Sequence, residues 1–350
     1  MRAFITGATG FIGGRVAGIL RGRGVEVVAL VRDPDRAGAL RDLGCELAKG
    51  GLGDADAIRA GMEGADAVFH VAGDYRVGLG KEACQEMRAT NVDGTRTVLQ
   101  AAHDAGVAKT VYVSTVGVFG NTHGALVDES FRRDESEGYL SCYDETKYQA
   151  HLVAEEFIAA GDPVVIAAPG GVYGPDDHSA LGTLFEMARK GRMKWAPFGD
   201  MGITVAHVDD IAQGIVDAYD RGTPSEFYVL AGPAMRQIEI AGVVTKVAGK
   251  KPPRGNLPTW VVKMAIPFGP LAGKAMGLEP NVREMIRAAE GVTYWAKADK
   301  AAAALGWNPR PLEQGVRDTF AAEDAGSNGS PDGSANGSPD GSGGGGESAP

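Results

Sequence analysis

The chain has 350 residues, 44% of them hydrophobic and 23% charged, enough apolar mass to bury a large core in one domain or in two tightly joined ones. Its formal net charge of −10 argues against a nucleic-acid partner, which would want a basic face. No apolar run is long enough to span a bilayer, and no leader precedes the first predicted strand.

Ala3–Thr6 reads as a short apolar strand, and Phe11–Arg21 as a helix. Between them Gly7, Gly10 and Gly13 recur every third residue. Gly7 lets the chain turn out of the strand, Gly10 lets a ligand's phosphates approach backbone N–H groups, and Gly13 lets the helix lie close to the sheet. Thr9, Phe11 and Ile12 fill the same turn. The helix aims its unpaired N–H groups and positive dipole end at that spot, which suits a pyrophosphate. A second strand, Val25–Val31, completes a βαβ unit of dinucleotide-binding size. At its tip an acid would bind the ribose 2′-hydroxyl of NAD, and an arginine a 2′-phosphate. Arg32 stands there with Arg36 nearby, so NADP is favoured. Asp33 keeps NAD open.

A helix is predicted over Asp35–Leu43, a strand over Cys45–Ala48, a helix over Asp54–Met62 and a strand over Ala67–Ala72, with Gly73 just beyond. Glu82–Ala105 reads as one long helix and Thr110–Ser114 as a strand. A loop of about twenty residues follows, Gly117–Gly138, and loops that long are usually functional. Ser141 with Asp144 resembles a capping box, so a helix starts near Cys142. Val164–Ala168 is the next strand. Alternating strands and helices predict an α/β, Rossmann-type doubly wound parallel sheet.

After Gly174 the rhythm changes. Leu181–Lys190 is helical, Gly191–Gly202 irregular, Thr204–Val208 extended, Asp209–Tyr219 helical and Glu226–Leu230 a strand. From Ile238 to Phe320 short amphipathic helices dominate. The apolar stretch Trp260–Leu278, interrupted by Lys263, Pro267, Pro270 and Lys274, reads as two short helices over a pocket. Residues 1–175 and 204–232 are expected to form a cofactor-binding domain. Residues 176–203 and 233–324 are expected to form a smaller, mostly helical substrate domain, and 325–350 a disordered tail in which NGSPDGS occurs twice. Cys45, Cys84 and Cys142 lack metal-ligand spacing. They are expected as free thiols in a reducing cytoplasm.

Tyr143 and Lys147, four apart on a helix, share a face. An ammonium beside a phenol favours the phenolate and lowers its pKa. Thr115 and Ser114, just past a strand, are placed to hold a substrate oxygen.

With these residues in view the chain resembles the extended short-chain dehydrogenase/reductase superfamily, the NAD-dependent epimerase/dehydratase family. The resemblance rests on TGATGFIG at the start, FHVAG at 69–73, TNVDGT at 90–95 and YVSTVGVFG at 112–120. It continues through YDETK at 143–147, APGGVYGP at 168–175 and HVDD at 207–210. FHVAGDYR and LVRDP bring it nearest the dihydroflavonol-reductase-like, 3β-hydroxysteroid-dehydrogenase-like and hopanoid-associated sugar-epimerase groups. The resemblance implies that Tyr143 is the acid–base group, that Lys147 binds the nicotinamide ribose, and that Thr115 is the hydroxyl partner with Ser114 beside it. It implies that Ala72 and Gly73 line the cofactor, that Pro169 and Val172 flank the nicotinamide, and that Leu52 packs on adenine. Asn91 and His207 are expected to be structural.

The departures matter as well. Val116 and Gly117 stand where dehydratases of the family carry an Asp-Glu pair, and Gly171 and Ile203 stand where its sugar-nucleotide enzymes carry Asn and Arg. The expected activity is therefore hydride transfer between NAD(P) and an apolar small-molecule carbonyl or secondary alcohol. The alternatives are an NAD-dependent sugar epimerase and a non-catalytic NADP-binding regulatory module. The resemblance leaves monomer or homodimer open.

Overall fold

The computed structural model describes residues 1–78, 80–264 and 281–328. Its first half alternates strand and helix: β1 (Arg2–Thr6), α1 (Phe11–Gly22), β2 (Glu26–Val31), α2 (Gly38–Asp42), β3 (Glu46–Lys49), α3 (Ala55–Met62), β4 (Ala67–His70), α4 (Lys81–Arg88), α5 (Gly94–Asp104), β5 (Lys109–Val113), α6 (Cys142–Ala159) and β6 (Val164–Pro169). Then come β7 (Gly171–Tyr173), α7 (Ala180–Arg189), β8 (Ala196–Pro197), β9 (Gly202–His207), α8 (Val208–Arg221) and β10 (Phe227–Leu230). The last part holds β11 (Ala234–Arg236), α9 (Gln237–Val247), β12 (Asn256–Leu257), α10 (Thr259–Met264), α11 (Val282–Ala289), β13 (Thr293–Tyr294), α12 (Asp299–Leu305) and α13 (Leu312–Asn328).

Seven strands form one parallel sheet in the order β10-β6-β5-β4-β1-β2-β3. Strands such as VVIAAP are buried along their whole length, as a parallel strand covered by helices on both faces must be. From β1 the chain winds outward through β2 to β3, then returns to β4 on the other side of β1. That reversal opens a crevice at the carboxyl ends of β1 and β4. Their register pairs Thr6 with His70, so Gly7 and the segment after His70 leave the sheet side by side.

The sequence-based reading needs five amendments. The long helix is two, α4 and α5, joined by the π-helical turn Ala89–Asp93. The 117–138 loop contains the 3₁₀ turns Val116–Phe119 and Glu135–Glu137 and a bridge from Val127 to Ala296. The 191–202 stretch contains β8, which pairs with β12. The C-terminal part is not simply helical, because β9 is flanked by β11 on one side and by β7 and β13 on the other. Pairing of two- and three-residue strands is long-range and leaves no periodicity to read. Finally, α13 runs to Asn328, past the expected start of the tail. The remainder of the tail lies outside the described residues, as does most of Trp260–Leu278.

Candidate active site

Gly7 sits at φ +75°, where a Cβ would stand 2.6 Å from the Ala72 nitrogen. A Cβ on Gly13 would stand 2.1 Å from the Gly7 carbonyl oxygen. The turn is therefore a close approach of three backbone segments that side chains cannot enter. Gly10 is the N-cap of α1, makes no side-chain cap, and is followed by a first turn without acids. The leading N–H groups of α1 face the crevice with no anionic side chain to satisfy them. A dinucleotide pyrophosphate fits this cradle. Thr9 and Gly10 are exposed, and Phe11 and Ile12 half-buried, beside it.

α6 starts at Cys142, as the Ser141 spacing predicts: the Ser141 hydroxyl accepts from the Asp144 N–H at 3.1 Å. This phase points Tyr143 and Lys147 at the ends of β4 and β5. The Thr115 hydroxyl lies beside the Tyr143 phenol, and it accepts from the Gly117 N–H at 3.2 Å. The Lys147 ammonium donates to the Val113 carbonyl at 3.0 Å and to the Tyr112 hydroxyl at 3.4 Å. A Cβ on Gly73 would lie 3.9 Å from Lys147 Nζ. Tyr143, Lys147, Thr115 and Gly73 thus meet at the carboxyl edge of the sheet.

One electrostatic expectation is corrected. The Tyr143 phenol is pushed up, first by burial and then by the neighbouring Tyr75 phenol; the nearby Thr115 hydroxyl opposes this. Burial pulls Lys147 down to about 8. Both shifts have one origin, removal of charge from water, and Lys147 directs its N–H groups to Val113 and Tyr112 instead.

Ser114 is also reassigned. The residue is 5% exposed and its hydroxyl lies 3.0 Å from His151 Nδ1. Successive strand residues alternate faces. Ser114 shares its face with Tyr112, toward α6, while Thr115 turns into the cleft. Behind this set the His70 ring joins Thr6 at 2.7 Å and Thr95 at 3.0 Å. Burial, reinforced by the Lys147 charge, pulls His70 down to about 3, so it is a neutral spacer.

The remaining candidates separate into two groups. Asn91, carried inward by the π turn, accepts from the Asp74 N–H at 2.7 Å and donates to the Asp74 carbonyl at 3.0 Å. His207 caps α8, accepting from the Asp209 N–H at 3.3 Å. Both act as braces. Leu52 packs against Gly94, where a Cβ would meet it at 2.8 Å. Arg32 and Arg36 are exposed beyond β2 and have no ion-pair partner among the described residues. Asp33 Oδ1 accepts from the Asp35 N–H at 3.1 Å. Ala72 and Gly73 follow β4; Pro169 ends β6 and Val172 lies in β7.

Several site residues gave no signal in the sequence. Tyr75 sets its ring edge-on to Tyr143 at 4.6 Å and is 54% exposed at the mouth. Arg133 pairs with Asp144 at 2.7 and 3.1 Å, both side chains 4% exposed. It lies between the rings of Tyr139 and Tyr148, which pins the 117–138 loop to the first turn of α6. Removing Arg133 leaves a buried carboxylate without its partner. Arg133→Ala is therefore expected to cost about 3 kcal/mol, read as a lower urea midpoint.

The free-thiol expectation fails for two of the three cysteines. Cys84 and Cys142 are joined in a disulfide with their Cα atoms 5.9 Å apart, 58 residues apart in sequence. Packing of α4 on α6 brings them together, which no spacing rule reveals. Cys45 is free and buried.

A sequence model of the NAD dependent epimerase/dehydratase family matches residues 3–231. The chain belongs to that family. It is 31% identical to a 4-hydroxy-2-methyl-3-oxo-4-farnesyl-3,4-dihydroquinoline-1-oxide ketoreductase of Stigmatella aurantiaca, over 95% of this chain and 99% of that one. It is 29% identical to a putative dihydroflavonol 4-reductase of Synechocystis, over 90% and 92% of the two chains. The crystal structure of gox2253 superposes with a TM-score of 0.78 at 32% identity, covering 93% of this chain and 98% of that one. As a member of the epimerase/dehydratase family, the protein is an NAD(P)-dependent oxidoreductase of hydride-transfer type acting on small molecules. Among the described residues no helix is long and apolar enough to cross a membrane.

Proposed function

We propose that this protein is an NADP-preferring reductase of an apolar ketone or aldehyde, working reversibly on the matching secondary alcohol. The observation that carries the reading is the meeting of Tyr143, Thr115 and Lys147 at the carboxyl edge of the sheet, with Lys147 one turn beyond Tyr143 along α6. In reduction, the O–H bond of Tyr143 breaks as the substrate oxygen takes its proton. Thr115 donates a hydrogen bond to that oxygen and fixes its direction. Lys147, buried and cationic below about 8, supplies the positive charge that favours the phenolate left behind.

The bound cofactor supplies the hydride. Backbone N–H groups of the Gly7–Gly13 turn hold its phosphates, with Thr9, Phe11 and Ile12 around them. Leu52, Ala72, Gly73, Pro169 and Val172 line its rings, and Tyr143 and Lys147 meet its nicotinamide half. In this reading residues 1–175 and 204–232 bind cofactor, while 176–203 and 233–324 shape the substrate side.

Support for an apolar substrate comes from the mouth, where Tyr75 and Met285 are 54% and 43% exposed. Ile203, at the position where sugar-nucleotide enzymes carry Arg, packs in an apolar cluster with Tyr173 and Phe185. That leaves a diphosphate without its cation and disfavours the epimerase alternative.

The NADP preference rests on Arg32 and Arg36, two unpaired guanidiniums beside an Asp33 carboxylate already used as a local cap. Replacing both by Ala is expected to raise the KM for NADPH roughly ten-fold, since a charge-assisted phosphate contact is lost, with the KM for NADH unmoved. Carbonyl-panel assays with NADPH against NADH test the whole reading. Tightly bound NAD in the purified protein, with no requirement for added cofactor, would turn it toward the epimerase.

A further inference from the structure

We propose that Cys84 and Cys142 form a redox-modification site, exchanging with low-molecular-weight thiols and disulfides of the glutathione class, and that its state sets the grip of the Tyr75 segment on the substrate. The proposal rests on the assignment of Tyr143 as the proton donor.

Cys142 opens α6 and directly precedes Tyr143. Cys84 lies in α4, which begins soon after the segment 71–78 that brings Tyr75 against Tyr143. The covalent bond therefore ties the far end of the mouth segment to the base of the catalytic helix.

Besides the disulfide, α4 is tied to α6 through Arg88, which bonds Glu145 and Gln149, while the mouth segment itself is held by few contacts. The near end is anchored by the two Asn91 hydrogen bonds to Asp74. At the far end the Gly78 carbonyl accepts from the Asn281 N–H at 2.6 Å. The Gly78 N–H reaches Glu284 Oε1 only at 3.5 Å, and the same oxygen accepts the Cys142 N–H at 3.0 Å. One buried carboxylate thus bridges the mouth segment and the residue that carries the sulfur. Between the anchors, Arg76 pairs with Asp74 and Glu86 on the surface, and such exposed pairs contribute little.

Cys84 is half-buried rather than sealed, so a small thiol has a sulfur to attack. Cys142 stands at the N-terminal end of an 18-residue helix, where the dipole favours the thiolate that exchange requires. The exchange is balanced. Two protein thiols and one glutathione disulfide give the protein disulfide and two glutathione molecules, two electrons passing to the small disulfide; a dithiol reverses it. Cys45, buried and distant in the sequence, takes no part.

The test compares the full-length protein oxidised with glutathione disulfide and reduced with dithiothreitol, each state verified by thiol titration. Reduction is expected to raise the KM for the carbonyl substrate several-fold with the KM for NADPH unchanged, and reoxidation to restore it. Cys84→Ser should be fixed near the reduced value and unresponsive, while Cys45→Ser should respond like the wild type. Hydrogen exchange supplies a readout independent of turnover: amides in 71–78 and 80–88 should exchange faster after reduction and those in the Gly7–Gly13 turn should not. Equal substrate KM values and equal exchange in the two verified states would overturn the proposal. A wild type that reduces no carbonyl but shows the exchange difference would count against the reductase reading and leave the thiol site standing.

Discussion

Tyr143→Phe is expected to lower kcat for carbonyl reduction by about 10³-fold, the scale of a lost general acid. The same change should leave the dissociation constant for NADPH nearly unmoved. It deletes one oxygen: the ring keeps its edge contact with Tyr75 at 4.6 Å, and α6 keeps its cap on Ser141. Thr115 cannot substitute, because a neutral alcohol is a far weaker acid than a phenol and its oxygen is already engaged by the Gly117 N–H.

The pH profile sharpens the test. The phenol is pushed up, so it stays protonated and able to donate across the working range. Lys147 is pulled down to about 8, so its ammonium is present below that value and lost above it. Reductive kcat at saturating NADPH should therefore run level at neutral pH and fall as pH rises through about 8. Stopped-flow measurement of NADPH oxidation separates the chemical step from release. An active Phe variant, or a profile that keeps rising above that pH, would remove Tyr143 and Lys147 from the roles given to them.

How much of this was readable in the sequence follows from range. The glycine turn and the Tyr143–Lys147 pair are local patterns: spacings of three and four on a helix or at its entry fix geometry without reference to the rest of the chain. The parallel sheet was readable for a similar reason, since apolar strands and helices alternate through Ala168. Strand parity could not separate Ser114 from Thr115, because Val111, Tyr112 and Val113 are all buried and both faces of the strand meet helices. The Cys84–Cys142 pair, the Arg133–Asp144 pair and the Glu284 bridge to Cys142 had no such local sign. Each joins elements that meet only once the sheet has formed, and Glu284 comes from 142 residues downstream of Cys142. The upward shift of Tyr143 was missed because spacing reports the neighbouring charge but not the depth of burial.

The second large effect separates Gly10 from Gly13 by what each excludes. Gly13→Ala should weaken NADPH binding about 100-fold and cost about 2 kcal/mol of stability, the scale of forced overpacking. Its Cβ would stand 2.1 Å from the Gly7 oxygen and 2.7 Å from the Gly7 carbon, and both neighbours are backbone that cannot rotate aside. Relief requires moving α1 away from the turn, which takes the leading N–H groups off their common aim. Gly10→Ala meets only the Gly7 oxygen, at 3.2 Å, and Gly10 is exposed. That variant should fold with nearly wild-type stability and still lose affinity, because its methyl group stands where phosphates approach. Thermal unfolding without cofactor, paired with fluorescence titration of NADPH, reads the two effects separately. If Gly10→Ala binds NADPH as the wild type does, the phosphates do not lie over that turn. Cofactor placement in the crevice would then need a different anchor, whatever Gly13→Ala does to the fold.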